Sequence, residues 1–124
     1  MPTLGFRTLK YSGTTNASGA ISETFNVGGV VKAIFVDKTN STFDNTGDLD
    51  ITESRTGAIL LDIDDITTNK YVTTKVKQTD KTGTDLTDAT ANIYDHIPVE
   101  DVSIVLVAGG DTKTLIIYFY VSDS

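Results

Sequence analysis

The stretch Val102-Ser-Ile-Val-Leu-Val-Ala-Gly-Gly-Asp-Thr-Lys-Thr-Leu-Ile-Ile-Tyr-Phe-Tyr-Val121 decides the fold class. Val102, Ile104, Leu106 and Ala108 alternate up to Gly109-Gly110-Asp111, and Leu115, Ile117, Phe119 and Val121 alternate beyond it, with Ile116, Tyr118 and Tyr120 between them. A period of two marks strands, and the Gly-Gly pair between two such runs predicts a hairpin turn. The second strand is apolar or aromatic on both faces, so it is expected in the middle of a sheet, with its second face covered by another sheet or by a partner.

Similar runs lead back toward the N-terminus. Leu49 and Ile51 precede Glu53-Ser-Arg-Thr-Gly57, and Ile59-Leu-Leu-Asp-Ile63 follows, which reads as a hairpin with Ile51 and Leu49 facing Leu61 and Ile59. Val30 to Val36 is nearly all apolar apart from Lys32, and Gly28-Gly29 separates it from a strand with Ile21, Glu23, Phe25 and Val27 on one face. Leu4 to Tyr11 forms the first strand and Tyr71 to Lys77 a strand with one wet face. Residues 79–90 are predicted to be an exposed loop. The fold class expected is all-β, an antiparallel β-sandwich of seven to eight short strands in one domain over residues 1–124, with a small β-barrel as the alternative. The predicted core contains Phe25, Val27, Ile34, Val36, Ile51, Ile59, Leu61, Ile104, Leu106, Ile117 and Phe119.

Composition agrees with the pattern. Of 124 residues, 21 are Thr and 22 are Val or Ile. Side chains branched at Cβ lose freedom in helices and fit a pleated surface. Asp outnumbers Glu 14 to 3, as expected where acids serve turns. The formal charge is −7 with no basic cluster, which argues against nucleic acid as a partner. With no Cys, disulfides and thiolate metal sites are excluded. The apolar runs Ile104–Ala108 and Leu115–Val121 are far shorter than the roughly 20 residues of a membrane-spanning helix, so no membrane partner is expected. The N-terminus lacks the pattern of a secretory signal, and synthesis in a cytoplasm is the expectation.

Few residues suggest chemistry. Asp62, Asp64 and Asp65, and the turn Asp44–Asp50, offer oxygen ligands but not the alternation of a calcium loop. His96, beside Asp95 and near Pro98, has no nucleophile elbow to serve, so no catalytic residue, cofactor or metal is assigned and the chain is read as a non-enzyme. Asn16-Ala-Ser and Asn40-Ser-Thr match the glycosylation sequon, which carries little weight without a secretory signal. Tyr71, Tyr94, Tyr118 and Tyr120 offer rings for a carbohydrate face or for packing.

From Asp48 to Val121 the chain resembles decoration or cement proteins of tailed-bacteriophage heads. The order carrying the likeness is Leu49-Asp-Ile-Thr, Thr56-Gly-Ala-Ile-Leu-Leu, a Thr/Asp-rich connection, then Ile97-Pro-Val-Glu-Asp-Val through Gly109-Gly-Asp-Thr-Lys-Thr, and a closing strand Leu115 to Val121. The resemblance implies a non-enzymatic virion protein on the outer capsid surface, with the major capsid protein as partner, and it supplies no functional residues. Homo-oligomer formation is also expected. Candidate contact residues, read from exposed apolar strand surface, are Leu4, Phe6, Leu9, Tyr11, Ile116, Tyr118 and Tyr120, with residues 1–11 as a first strand or an extended arm. The competing reading is a carbohydrate- or receptor-binding module of a phage fibre or a bacterial surface appendage.

Overall fold

The computed structural model describes residues 6–77, 87–88, 91–92 and 94–123. Its strands are β1 (Phe6–Thr14), β2 (Ile21–Val36), β3 (Asp48–Glu53), β4 (Ile59–Ile63), β5 (Lys70–Thr73), β6 (Val76–Lys77), β7 (Thr87–Asp88), β8 (Ala91–Asn92), β9 (Tyr94–Asp95), β10 (Pro98–Val107) and β11 (Thr114–Ser122). The protein is all-β and antiparallel, and no helix occurs among the described residues. Seven strands form one sheet in the order β1-β11-β2-β10-β3-β4, with β5 also on β2, while β6 pairs β9 and β7 pairs β8. The loop expected over residues 79–90 lies outside the described residues except for Thr87–Asp88.

The organising element is β2. Gly28-Gly29 does not end a strand, as the sequence suggested; the chain runs through it, and 16 residues form one bent strand. Its first stretch pairs with β10, from Leu106↔Ile21 to Pro98↔Val30. Its second stretch lies between β11 and β5, with Phe119↔Ile34 on one edge and Ile34↔Val72 on the other. The register shift at Val99/Asp101 falls opposite Asn26–Gly29 and takes in Gly28, and that at Tyr120/Val121 follows at Lys32; bulges of this kind bend and twist a sheet. Gly28 has φ +62°, and a Cβ on Gly29 would lie 2.6 Å from Val121 Cγ1 and 2.8 Å from the Ser122 carbonyl oxygen. Only glycine allows both that backbone conformation and that close approach.

The bend turns one sheet into a sandwich. At about 3.3 Å per residue, Phe25 and Ile34 would be roughly 30 Å apart on a straight strand. Yet Phe25 stacks at 5.4 Å on Phe119, the cross-strand partner of Ile34, and meets Tyr11 of β1 edge-on at 5.6 Å. The half-sheet β1-β11-β2-β5 therefore packs face to face on the half-sheet β2-β10-β3-β4. Leu49, Ile51, Val102, Ile104, Leu106, Leu115, Ile117, Phe119, Ile34 and Val36 are fully buried between them. Phe43 and Ile66, from connections, complete the core.

Two sequence expectations are corrected. β10 and β11 do not form a hairpin, because each pairs with β2 and they lie on opposite sides of it. Residues 108–113 instead carry the chain between the half-sheets, with Ala108, Gly110 and Thr112 at positive φ. Gly109 N–H donates to the Gly19 carbonyl, Asp44 N–H to the Gly109 carbonyl, and the Thr15 hydroxyl to the Gly110 carbonyl, knitting three connections together. Ile59, expected in the core, is 60% exposed because the register shift between Ile51 and Thr52 places it opposite Thr52. Leu60 is buried in its place, beside Leu61, which lies in the core as expected.

Candidate interaction face

Strand alternation builds an aromatic outer face on one half of the sandwich. On β11, Leu115, Ile117, Phe119 and Val121 point inward, so Ile116, Tyr118 and Tyr120 point out. Cross-strand partners share a face, which adds Lys10 opposite Tyr118, Thr8 opposite Tyr120, Phe35 on the other side of Tyr118, and Tyr71 opposite Phe35. The rings of Phe35 and Tyr118 are 6.3 Å apart and those of Tyr71 and Tyr120 are 5.9 Å apart. Phe6 and Tyr71 stand 70% and 65% exposed at the two ends of this array.

The face ends in a shallow groove of about 160 Å³ between Phe6, Arg7, Thr8, Lys32, Tyr120 and Val121. Lys32 occupies the bulge where β2 shifts register against β11, so its side chain joins the groove. Arg7 is engaged within the molecule, donating to the Gly28 carbonyl at 2.8 Å and lying 3.7 Å from Asp123. Lys10 and Lys32 make no ion pair or side-chain hydrogen bond among the described residues.

Of the residues expected at a contact surface, Phe6, Ile116, Tyr118 and Tyr120 share this face. Leu9 and Tyr11 lie on the inner side of β1; Tyr11 is buried and its hydroxyl donates to Glu23 at 3.0 Å. Burial, with the Glu23 carboxylate beside it, pushes that phenol well above its ordinary range. Leu4 and the rest of residues 1–5 lie outside the described residues, whereas residues 6–11 belong to β1 and are paired with β11. Phe35 and Lys32 were not singled out from sequence. Phe35 lies between Ile34 and Val36, which the sequence already placed in the core, but in so continuous an apolar run nothing marked it as part of an outer face.

The outer face of the other half-sheet has the opposite chemistry. Asp50 is flanked by Asp62 on β4 and Val105 on β10, Asp48 lies opposite Val107, and Ser22, Thr24, Thr52, Ser103 and the exposed Ile59 also stand on this face, with Asn26 and Asp101 paired at its end. The Asp50 carboxyl is held above its ordinary range, first by a hydrogen bond to Asp62, then by burial and the charges of Asp62, Asp64 and Asp48. Asp64 is raised chiefly by the charge of Asp48. No group of three or more His, Asp or Glu among the described residues is arranged to hold a metal ion. The Asp95 carboxylate accepts the backbone N–H of His96 at 2.7 Å. Asn16 and Asn40, the sequon residues, both bond within their own turns, Asn16 with Ser18 and Ala20 and Asn40 with Asp37.

The segregation of charge extends through the strands. β1, β11, β5 and the 30–36 stretch of β2 carry Arg7, Lys10, Lys32 and Lys70 and no carboxylate. β10, β3, β4 and the 21–29 stretch of β2 carry Glu23, Asp48, Asp50, Glu53, Asp62, Glu100 and Asp101 and no cation. No family model and no curated protein matches the chain.

Proposed function

We propose that this protein is a non-enzymatic structural protein that coats the outer surface of a tailed-phage head as a homo-oligomer. The observation that carries the reading is the aromatic outer face running from Tyr71 to Phe6 without a carboxylate on its strands. A broad aromatic sheet face of this kind suits contact with another protein surface. The order of elements from Asp48 to Val121, which resembles that of head decoration proteins, supports reading that contact as one made in a capsid coat. Mixing the purified protein with particles that lack it is the test. Cosedimentation and increased heat resistance are expected for the parent, and both should weaken in a Tyr118→Ser/Tyr120→Ser variant that keeps its melting temperature. Absence of the parent from sedimented particles overturns the reading. The exposed Tyr71 beside Tyr120 favours a second reading, a carbohydrate platform, which glycan-array binding would select instead.

A further inference from the structure

We propose that the aromatic, cationic face of one copy takes the acidic face of a second copy, so that the protein associates head to tail. This rests on reading the aromatic face as a contact surface, but it names the occupant and does not depend on a capsid. The two outer faces belong to opposed half-sheets and are complementary in charge. One offers Lys10 and Lys32 beside Tyr118 and Tyr120; the other offers Asp48, Asp50 and Asp62 around Val105 and Val107. Val107 is 46% exposed, so the acidic face also carries apolar surface for the rings to cover.

Each face holds charges that its own fold leaves uncompensated. Lys10 and Lys32 have no anionic partner among the described residues, and Asp50 directly opposes Asp62. The Asp50 carboxyl is raised first by its hydrogen bond to Asp62 and by burial, and only then by the neighbouring charges, while Asp64 is raised chiefly by the charge of Asp48; arriving ammonium groups would relieve that part of each that is charge repulsion. Contact between two different faces is heterologous, so it propagates into rings or columns rather than closing as a two-fold dimer.

Sedimentation velocity of the purified full-length chain tests this. At roughly 20 mM salt the average mass is expected to rise with concentration past that of a dimer, and at about 0.5 M salt to return toward the 13.3 kDa monomer, because screening shortens to a few ångströms. Two variants give the decisive comparison. Lys10→Glu/Lys32→Glu makes both faces negative, and Asp50→Lys/Asp62→Lys makes both positive, so each alone should stay monomeric. An equimolar mixture restores opposite charges at every contact and should associate again. All four residues lie on outer faces, and circular-dichroism melting verifies that each variant folds. A parent that stays monomeric at low salt overturns the proposal, even if it binds particles, since the face then belongs to the capsid. Association that neither variant alters, or a mixture that remains monomeric, overturns it as well.

Discussion

Glu53 ends β3 as a nearly inaccessible carboxylate, 2% exposed, and the turn after it is built around that group. Its Oε2 accepts the Thr56 N–H at 2.7 Å, the Thr56 hydroxyl at 2.8 Å and the Arg55 N–H at 3.0 Å. These bonds, the Thr56 hydroxyl first, hold the carboxyl below its ordinary value of 4.5. A folded-state value lower than the unfolded one means stability that is fully present above pH 4.5 or so and is lost as pH falls through the folded value. Acid unfolding should therefore begin at higher pH in the parent than its other carboxylates require, and Glu53→Gln should have a lower melting temperature at pH 7 and a flatter acid limb. Melting curves from pH 7 to about pH 3 check this. Asp50 works in the opposite sense. Its carboxyl is raised, so the folded state takes up a proton more readily and the penalty present at neutral pH fades on acidification. Asp62→Asn is expected to raise stability at pH 7 by a few tenths of a kcal/mol, the scale of an exposed like-charge cross-strand pair, with the gain disappearing in acid. Equal melting temperatures at pH 7 would show that the pair is already relieved.

At the scale of elements, the two Gly-Gly pairs do different work from that suggested by their place between apolar runs. Gly29 is where β2 passes under Val121 and Ser122, so Gly29→Val should cost at least the 1–3 kcal/mol typical of overpacking in a denaturant titration. Gly109-Gly110 lies in an arch between half-sheets. A Cβ on Gly109 would lie 2.8 Å from Leu106 Cδ2, and one on Gly110, at φ +86°, would lie 2.5 Å from Asp44 Oδ2. Replacing both with Val should lower the melting temperature, as a hairpin turn would also predict, but the cause is the packing of three connections. The two causes separate at Asp44, since Asp44→Ala should recover part of the loss at position 110 only if the arch is the cause. Both pairs were legible as sites of unusual backbone. Which strands they joined was not, because antiparallel neighbours and strands on opposite sides of a third present the same alternation in sequence.

For the whole molecule, Phe119 is the residue through which the halves meet. Its ring stacks on Phe25 across the sandwich, so Phe119→Ala should cost about 3–5 kcal/mol, a large part of the 5–15 kcal/mol total usual for a domain. Ile59→Ala, at 60% exposure, should change stability by less than about 0.5 kcal/mol. Equilibrium unfolding of the two variants measures the contrast, and similar losses would show that the inner and outer faces are wrongly assigned. The first and last strands pair with one another, from Phe6↔Ser122 to Thr14↔Thr114. Such distant pairing places folding on the millisecond-to-second scale, which stopped-flow refolding would read directly.

Periodicity and composition were enough to determine the strand class, most strand positions, and the inward residues of β3, β10 and β11, because a pleated strand exposes its alternation one residue at a time. Tyr118 and Tyr120 could likewise be read as standing opposite Leu115, Ile117 and Phe119. Tertiary structure alone decided the rest: β2 as one bent strand, the separation of β10 from β11, the loss of Ile59 from the core, and the recruitment of Phe35 and Lys32 to the face of Tyr118 and Tyr120. The charged residues of both half-sheets were in the sequence, interleaved along the chain. Only strand order, set by pairings between distant segments and by bulges that no local pattern encodes, sorts them into a cationic half and an acidic half.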